Sequence, residues 1–211
     1  LAWGHSLIVS QRAFCTLVDT FTVLCECDQT KDQTIIDLLK SIYEHVEYLL
    51  QFESFPPSNK TISEGRSLLA TACSFPEFRE SGQWFKQASN RLLEDMRIQV
   101  MPDGASYELT PGYQMAIASW FLAAFNVAGK FGREFDPELE AGIRRMFDWC
   151  VSINRPDYTH PSVSDAGSLD AGYGHALTGP GTILGDESAV WVGTKGAEGS
   201  PPGYDSIARQ D

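Results

Sequence analysis

Apolar residues recur at three- and four-residue steps along most of this chain, the spacing of helices that bury one face. Ile8, Phe14, Leu17, Val18, Phe21 and Leu24 predict a helix from Leu7 to about Cys27, and Asp28-Gln29-Thr30-Lys31 a turn. Ile35, Leu38, Leu39, Ile42, Val46, Leu49 and Leu50 form the stripe of a second helix, Asp32 to about Phe52. His45 lies beside that stripe, as a half-buried surface histidine would. Phe55-Pro56-Pro57 stops the helix, because proline has no N–H to give and its ring clashes with the preceding turn. Ser58 or Thr61 then caps a third helix, with Thr61 and Glu64 spaced as a capping box. That helix carries Ile62, Leu68, Leu69 and Ala72 and ends near Cys73. Ser81 caps a fourth, Gly82 to about Val100, with Trp84, Ala88, Leu92 and Met96 inward and Lys86, Arg91 and Arg97 on a solvated face.

A polar, turn-rich loop, Asp103 to Thr110, runs into the fifth helix. Thr110 suits the N-cap and Pro111 the first helical position. From Pro111 to about Ala128 this helix is apolar nearly all round, which predicts burial on most sides. Asp136-Pro137-Glu138 opens a sixth, to about Ile153. Past Asn154 the texture turns to Pro, Gly, Ser, Asp and His. A short helix is possible at Leu169–Leu177 and another from Thr182 to Val192. Gly172-Tyr173-Gly174 and Gly179-Pro180-Gly181 read as flexible connectors, and 193–211 as loop or linker. No strand alternation is evident. Helices of roughly 15–21 residues, joined by short turns without heptads, predict an all-α chain of antiparallel hairpins. A bundle, a solenoid and a closed α/α toroid all fit that pattern. The longest polar loops precede the third and fifth helices. Alternate starts in an up-down array share an end, so that end is the expected binding site.

The 211 residues suffice for one domain with a core, and 43% apolar against 21% charged content is that of a globular chain. A net charge of −12 argues against nucleic acid as a partner. No apolar run reaches the roughly 18 residues of a membrane span, so no span is expected. The five cysteines are odd in number. Cys25-Glu26-Cys27 lacks a second pair for zinc, and most of the five read as small buried residues. Leu1 stands where an initiator Met would, and the end brings no closing helix or strand, so a piece of a longer protein is expected.

Asn59 and Tyr113 belong to the two long loops and sit at helix starts, where free N–H groups and the helix dipole favour an anion. A phenol held there should ionise, or share its proton with a substrate oxygen, more readily than a free one. An amide can bind a carboxylate and favour loss of the adjacent carbon's proton, and a tyrosine can move that proton. This is the chemistry of β-elimination from a uronic acid, with Lys60, Glu108 and Gln114 beside it. Carboxylates for glycoside hydrolysis could instead come from Asp103, Glu108, Asp165 and Asp170, although Asp103-Gly104 is more simply a turn. His160 and His175 have no ligand-like spacing, so no metal and no cofactor is assigned. No phosphate-binding glycine motif or nucleophile motif occurs.

Several motifs together resemble the heparinase II/III-type polysaccharide lyases. They are Pro57-Ser58-Asn59, Phe75-Pro76-Glu77-Phe78-Arg79-Glu80-Ser81 with Trp84, Gln99-Val100-Met101-Pro102-Asp103-Gly104, Glu108, and Pro111-Gly112-Tyr113. Gly196 to Pro202 with Ser206 looks like the stretch preceding that family's C-terminal β-sandwich. The resemblance implies an incomplete (α/α) toroid over 1–192, with 193–211 leading towards a missing β-sandwich domain. It implies a lyase acting on an acidic polysaccharide, heparan sulfate- or alginate-like, secreted or periplasmic. A glycoside hydrolase or a non-catalytic glycan-binding array are the alternatives. By the same resemblance Asn59 neutralises the uronate carboxylate and Tyr113 is the acid/base, while Lys60, Glu108 and Gln114 line the groove. Many relatives carry His where Gln114 and Lys60 stand. The family's catalytic histidine comes from the β-sandwich and matches none of the four here.

Overall fold

The computed structural model describes residues 4–51, 55–155, 157–164 and 172–203. The chain is all-α as expected. Its helices are α1 (Ser6–Arg12), a π-helical turn (Ala13–Val18), α2 (Asp19–Cys25), α3 (Asp32–Gln51), α4 (Asn59–Ser74), α5 (Ser81–Gln99), α6 (Pro111–Lys130), α7 (Pro137–Ser152), α8 (Gly172–His175), α9 (Thr178–Leu184) and α10 (Glu187–Gly193). Among the described residues the only β feature is an isolated bridge between Val100 and Ser106. The chain divides into two compact units, 1–95 with 123–135, and 96–122 with 136–211.

In the first unit α4 is the central element. Every residue from Thr61 to Cys73 is buried, so this helix has no solvent face. Small side chains allow that: Ser10 on α1 meets Ser63 at 2.9 Å, and Ser67 Oγ donates to the Ser10 carbonyl at 2.8 Å. A Cβ on Gly65 would stand 3.0 Å from Leu92 Cγ. Ile42, Val46, Leu49, Leu68, Leu69, Trp84 and Ala88 fill the surrounding core. His45 is 2% exposed rather than half-buried, with its Nδ1 donating to the Ser41 carbonyl at 2.6 Å. The first predicted helix is one run, Ser6 to Cys25, carrying the π turn at its middle. By length and composition alone this run could cross a membrane, although no uninterrupted apolar stretch announces it. Within the unit it docks Val9, Ser10 and Ala13 inward and leaves Ile8 and Val23 exposed.

The same run overturns the reading of the cysteines. All five thiols are free; Cys15, Cys25 and Cys27 are exposed, and only Cys73 and Cys150 are buried. An apolar helical period identifies a face that could be buried. It does not identify which residues have a neighbour to bury them.

In the second unit Leu139, Ile143, Met146, Phe147 and Cys150 of α7, and Met96, Ile117, Ala118, Phe121 and Leu122, are buried core residues. Asp136 caps α7 by accepting the Glu138 N–H at 2.9 Å, and Pro137 occupies the first turn, as the sequence predicted. The predicted Thr182–Val192 helix is instead two. Gly185 (φ 67°) ends α9, and Asp186 starts α10 by accepting from Ser188 and Ala189 N–H. Gly179, Pro180 and Gly181 are helical in α9, not a flexible connector. A Cβ on Gly181 would come within 2.7 Å of the Val190 nitrogen, so the glycine permits the α9–α10 contact.

Candidate active site at two helix starts

The start of α4, in the first unit, is built by Ser58. Its backbone is extended (φ −162°), and its side chain accepts from Lys60 N–H. The capping box closes between Ser58 and Thr61, not Thr61 and Glu64 as the spacing predicted: Ser58 N–H donates to Thr61 Oγ1 at 3.2 Å. Glu64 is fully buried, one turn too deep to reach back to the helix end. Thr61 Oγ1 also lies 2.6 Å from the buried Asp95 Oδ1. The polar pair anchors this helix start to α5. Asn59 follows the cap, half-buried, and Lys60 is exposed. Neither side chain makes a hydrogen bond among the described residues, so both are available to a ligand.

The start of α6, in the second unit, is shaped by the loop before it. Asp103 Oδ1 accepts the Ala105 N–H at 3.0 Å, and Gly104 N–H donates to the Met101 carbonyl at 2.9 Å. Asp103 is therefore a turn-former. Tyr107 N–H donates to the Gln99 carbonyl at 2.9 Å, which brings the loop back onto the end of α5. Leu109 has φ 54° and is 62% exposed, a strained backbone at the point where the chain turns into α6. Pro111 is the first helical residue, as expected. Thr110 is buried, but its Oγ1 has no hydrogen-bond partner, so it does not act as the predicted side-chain cap.

Tyr113 lies in the first turn of α6 and is half-buried; Glu108 is also half-buried. Neither side chain is hydrogen-bonded among the described residues. Gln114 is different. It is 1% exposed, and its amide is fully engaged with backbone: Oε1 accepts from Ser106 N–H, and Nε2 donates to Gly104 O at 2.9 Å and Met146 O at 3.2 Å. Gln114 does not line a groove. The two helix starts thus offer a free carboxamide and ammonium in one unit, and a free phenol and carboxylate in the other.

The remaining candidates are structural where they are described. His160 is buried, its Nδ1 2.9 Å from the Pro161 carbonyl, and His175 Nδ1 lies 3.3 Å from the Gly193 carbonyl. Asp165 and Asp170 fall outside the described residues. Among those described, no group of three or more His, Cys, Asp or Glu is placed to hold a metal ion.

The heparinase II/III N-terminus family matches residues 1–176. The chain belongs to that family. A heparin-sulfate lyase of Bacteroides stercoris is 30% identical over 134 residues, covering 63% of this chain and 20% of that protein. A heparin-sulfate lyase of Pedobacter heparinus is 25% identical over 197 residues, covering 92% of this chain and 30% of that protein. The crystal structure of a heparan sulfate lyase from the latter organism matches with a TM-score of 0.82 at 25% identity, over 95% of this chain and 32% of that one. The chain therefore spans a fifth to a third of the length of these relatives.

Two residues of this heparinase-family chain were missed in the sequence: Asp95 beneath Thr61, and Ser106, whose N–H meets Gln114. Asp95 falls on the inward stripe with Leu92 and Met96, the one available signal, since a carboxylate there requires a polar partner.

Proposed function

We propose that the protein to which this segment belongs is a polysaccharide lyase that cleaves a uronic-acid-containing glycan of the heparan sulfate kind by β-elimination. What carries the reading is the pairing of family membership with two polar groups, Asn59 and Tyr113, that no protein partner engages among the described residues. Buried or half-buried polar groups are usually hydrogen-bonded within the protein, so groups left open at helix starts suit an anionic ligand. The reading requires both helix starts to face one acidic sugar.

In the proposed reaction the Asn59 amide donates to the uronate carboxylate. That draws charge away from the ring and acidifies the proton on C5. A base takes the proton, the C–H electron pair becomes the C4–C5 double bond, and the C4–O bond to the leaving sugar breaks. Tyr113 serves as the base, as the acid that protonates the departing oxygen, or as both. Lys60 supplies an exposed cation for substrate carboxylate or sulfate, and Glu108 a half-buried carboxylate for substrate hydroxyls. A polymeric glycan substrate implies action outside the cytoplasm, in the periplasm or medium.

The test uses the full-length protein with heparan sulfate, and alginate in parallel. The expected product is an unsaturated uronate, read by its ultraviolet absorbance. Tyr113→Phe should lower kcat by about 10²–10⁴-fold while leaving glycan binding intact, and Asn59→Ala should lower kcat similarly and weaken binding as well. New reducing ends without the unsaturated chromophore would mean hydrolysis instead. Unchanged turnover in Tyr113→Phe would remove the phenol from the reaction.

A further inference from the structure

We propose that Gln114 is the positioning residue of this site: a buried amide that seats the 104–106 loop on α7 and thereby fixes the direction in which Tyr113 leaves the first turn of α6. The inference rests on the proposed role of Tyr113. It goes beyond that role by naming the group on which the phenol's placement depends.

The first turn of α6 lacks the usual means of holding itself. Pro111 brings no N–H, and the Thr110 hydroxyl makes no hydrogen bond despite being buried. The capping work falls to the next polar residue. Gln114 N–H donates to the Thr110 carbonyl at 2.9 Å, closing the first turn. Its side chain then makes three bonds, each to backbone. Oε1 takes the Ser106 N–H, and Nε2 gives to Gly104 O and Met146 O. The arrangement uses both faces of the amide, as only a neutral carboxamide can: an acceptor towards an N–H, and two N–H donors towards carbonyls.

Gly104 supplies the matching surface. A Cβ there would lie 2.5 Å from the Arg145 carbonyl carbon and 3.0 Å from the Met146 nitrogen. The loop backbone therefore rests directly on the Arg145–Met146 turn of α7, and Gln114 ties across the contact. Adjacent helix residues point about 100° apart. With Gln114 locked inward, Tyr113 is held at a fixed angle on the half-exposed side. Release of the clamp frees the rotation of a turn that has no other side-chain cap. A displacement of about 1 Å at a reacting group costs on the order of 10²-fold in rate.

The experiment compares Gln114→Met and Gln114→Glu with Tyr113→Phe, all in the full-length protein acting on heparan sulfate. Gln114→Met keeps length and shape without hydrogen bonds. Gln114→Glu keeps the acceptor for Ser106 but loses both donors when ionised. Each should lower kcat by about 10²-fold with KM changed less than about threefold, since the misplacement is felt by the reacting group. Gln114→Glu should recover activity relative to Gln114→Met as pH falls and its carboxyl regains a donor. In a Tyr113→Phe background, Gln114→Met should lower the residual rate no further. A full-rate Tyr113→Phe defeats the underlying mechanism. An inactive Tyr113→Phe beside a full-rate, folded Gln114→Met overturns the positioning role alone, as does a further loss in the double variant. If neither Gln114 variant folds, hydrogen exchange on the unmodified protein decides. A Ser106 amide as slow as those of α7 upholds the clamp, and a fast one overturns it.

Discussion

Gly104→Ala should be the most damaging single-methyl addition in the second unit. Two terms add. The glycine sits at φ 92°, where an L side chain costs about 1–2 kcal/mol. The added Cβ would collide with the Arg145 carbonyl oxygen and stand 2.5 Å from its carbon, against the roughly 3.5–4.0 Å at which two non-bonded carbons ordinarily meet. The obstacle is helix backbone and cannot rotate aside, so the loop must rise by about 1 Å. That lift stretches the Gln114 bond to Gly104 O and leaves buried polar groups short of partners, at about 1–3 kcal/mol. The total is about 2–5 kcal/mol.

Gly185 in the same unit is the control. It also has positive φ, 67°, but a Cβ there meets nothing within 4 Å. Gly185→Ala should cost only the backbone term, about 1–2 kcal/mol. Urea unfolding of both variants and the unmodified chain, followed by tryptophan fluorescence, measures the difference through the midpoint at unchanged slope. Equal losses would mean that the loop does not rest on α7, and the clamp argument would fall with it.

Thr110→Val should leave stability unchanged or raise it by about 1 kcal/mol, because the buried hydroxyl has no hydrogen bond to lose; a loss of about 1 kcal/mol by the same urea assay would mean that Thr110 caps α6 after all. A disulfide reagent should titrate Cys15, Cys25 and Cys27 quickly in the native chain and reach Cys73 and Cys150 only on unfolding. Cys27 should react first, its thiol lowered by hydrogen bonds from the Gln29 backbone and Thr30, while burial pushes Cys73 up to about 11; a slow Cys27 would refute the exposure. His45 is held below its ordinary value by burial first, with Arg12 adding to the effect and the Ser41 carbonyl and Glu44 opposing it. The unfolded chain then takes up this proton more readily than the folded one. Stability should be full above about pH 6.5 and fall below it, by at most about 1.4 kcal/mol per pH unit. His45→Phe should flatten that slope, and an unaltered slope would place its origin elsewhere.

Helix existence was legible because it depends on spacing, and spacing is in the sequence. Trp84, Ala88, Leu92 and Met96 fall inside as their period requires, and Asp136-Pro137 opens α7. What failed depended on neighbours. The Ser6–Cys25 run has an apolar period, yet only Val9, Ser10 and Ala13 in it are buried, and Cys15 and Cys25 stand exposed. Polar residues at helix starts were legible as candidates, but not in their division of labour. The helix that carries Tyr113 is apolar nearly all round, so its pattern gives no rotational phase. Without phase, Gln114 and Tyr113 look equally available. Their separation into a backbone clamp and an open phenol is decided by α7 and the loop, through Met146 and Gly104. The same logic holds at α4, where Asp95, from the following helix, anchors Thr61 and leaves Asn59 unengaged among the described residues. In both places a helix start keeps open polar groups while a buried polar neighbour is satisfied within the protein, Thr61 by Asp95 at α4 and the loop backbone by Gln114 at α6.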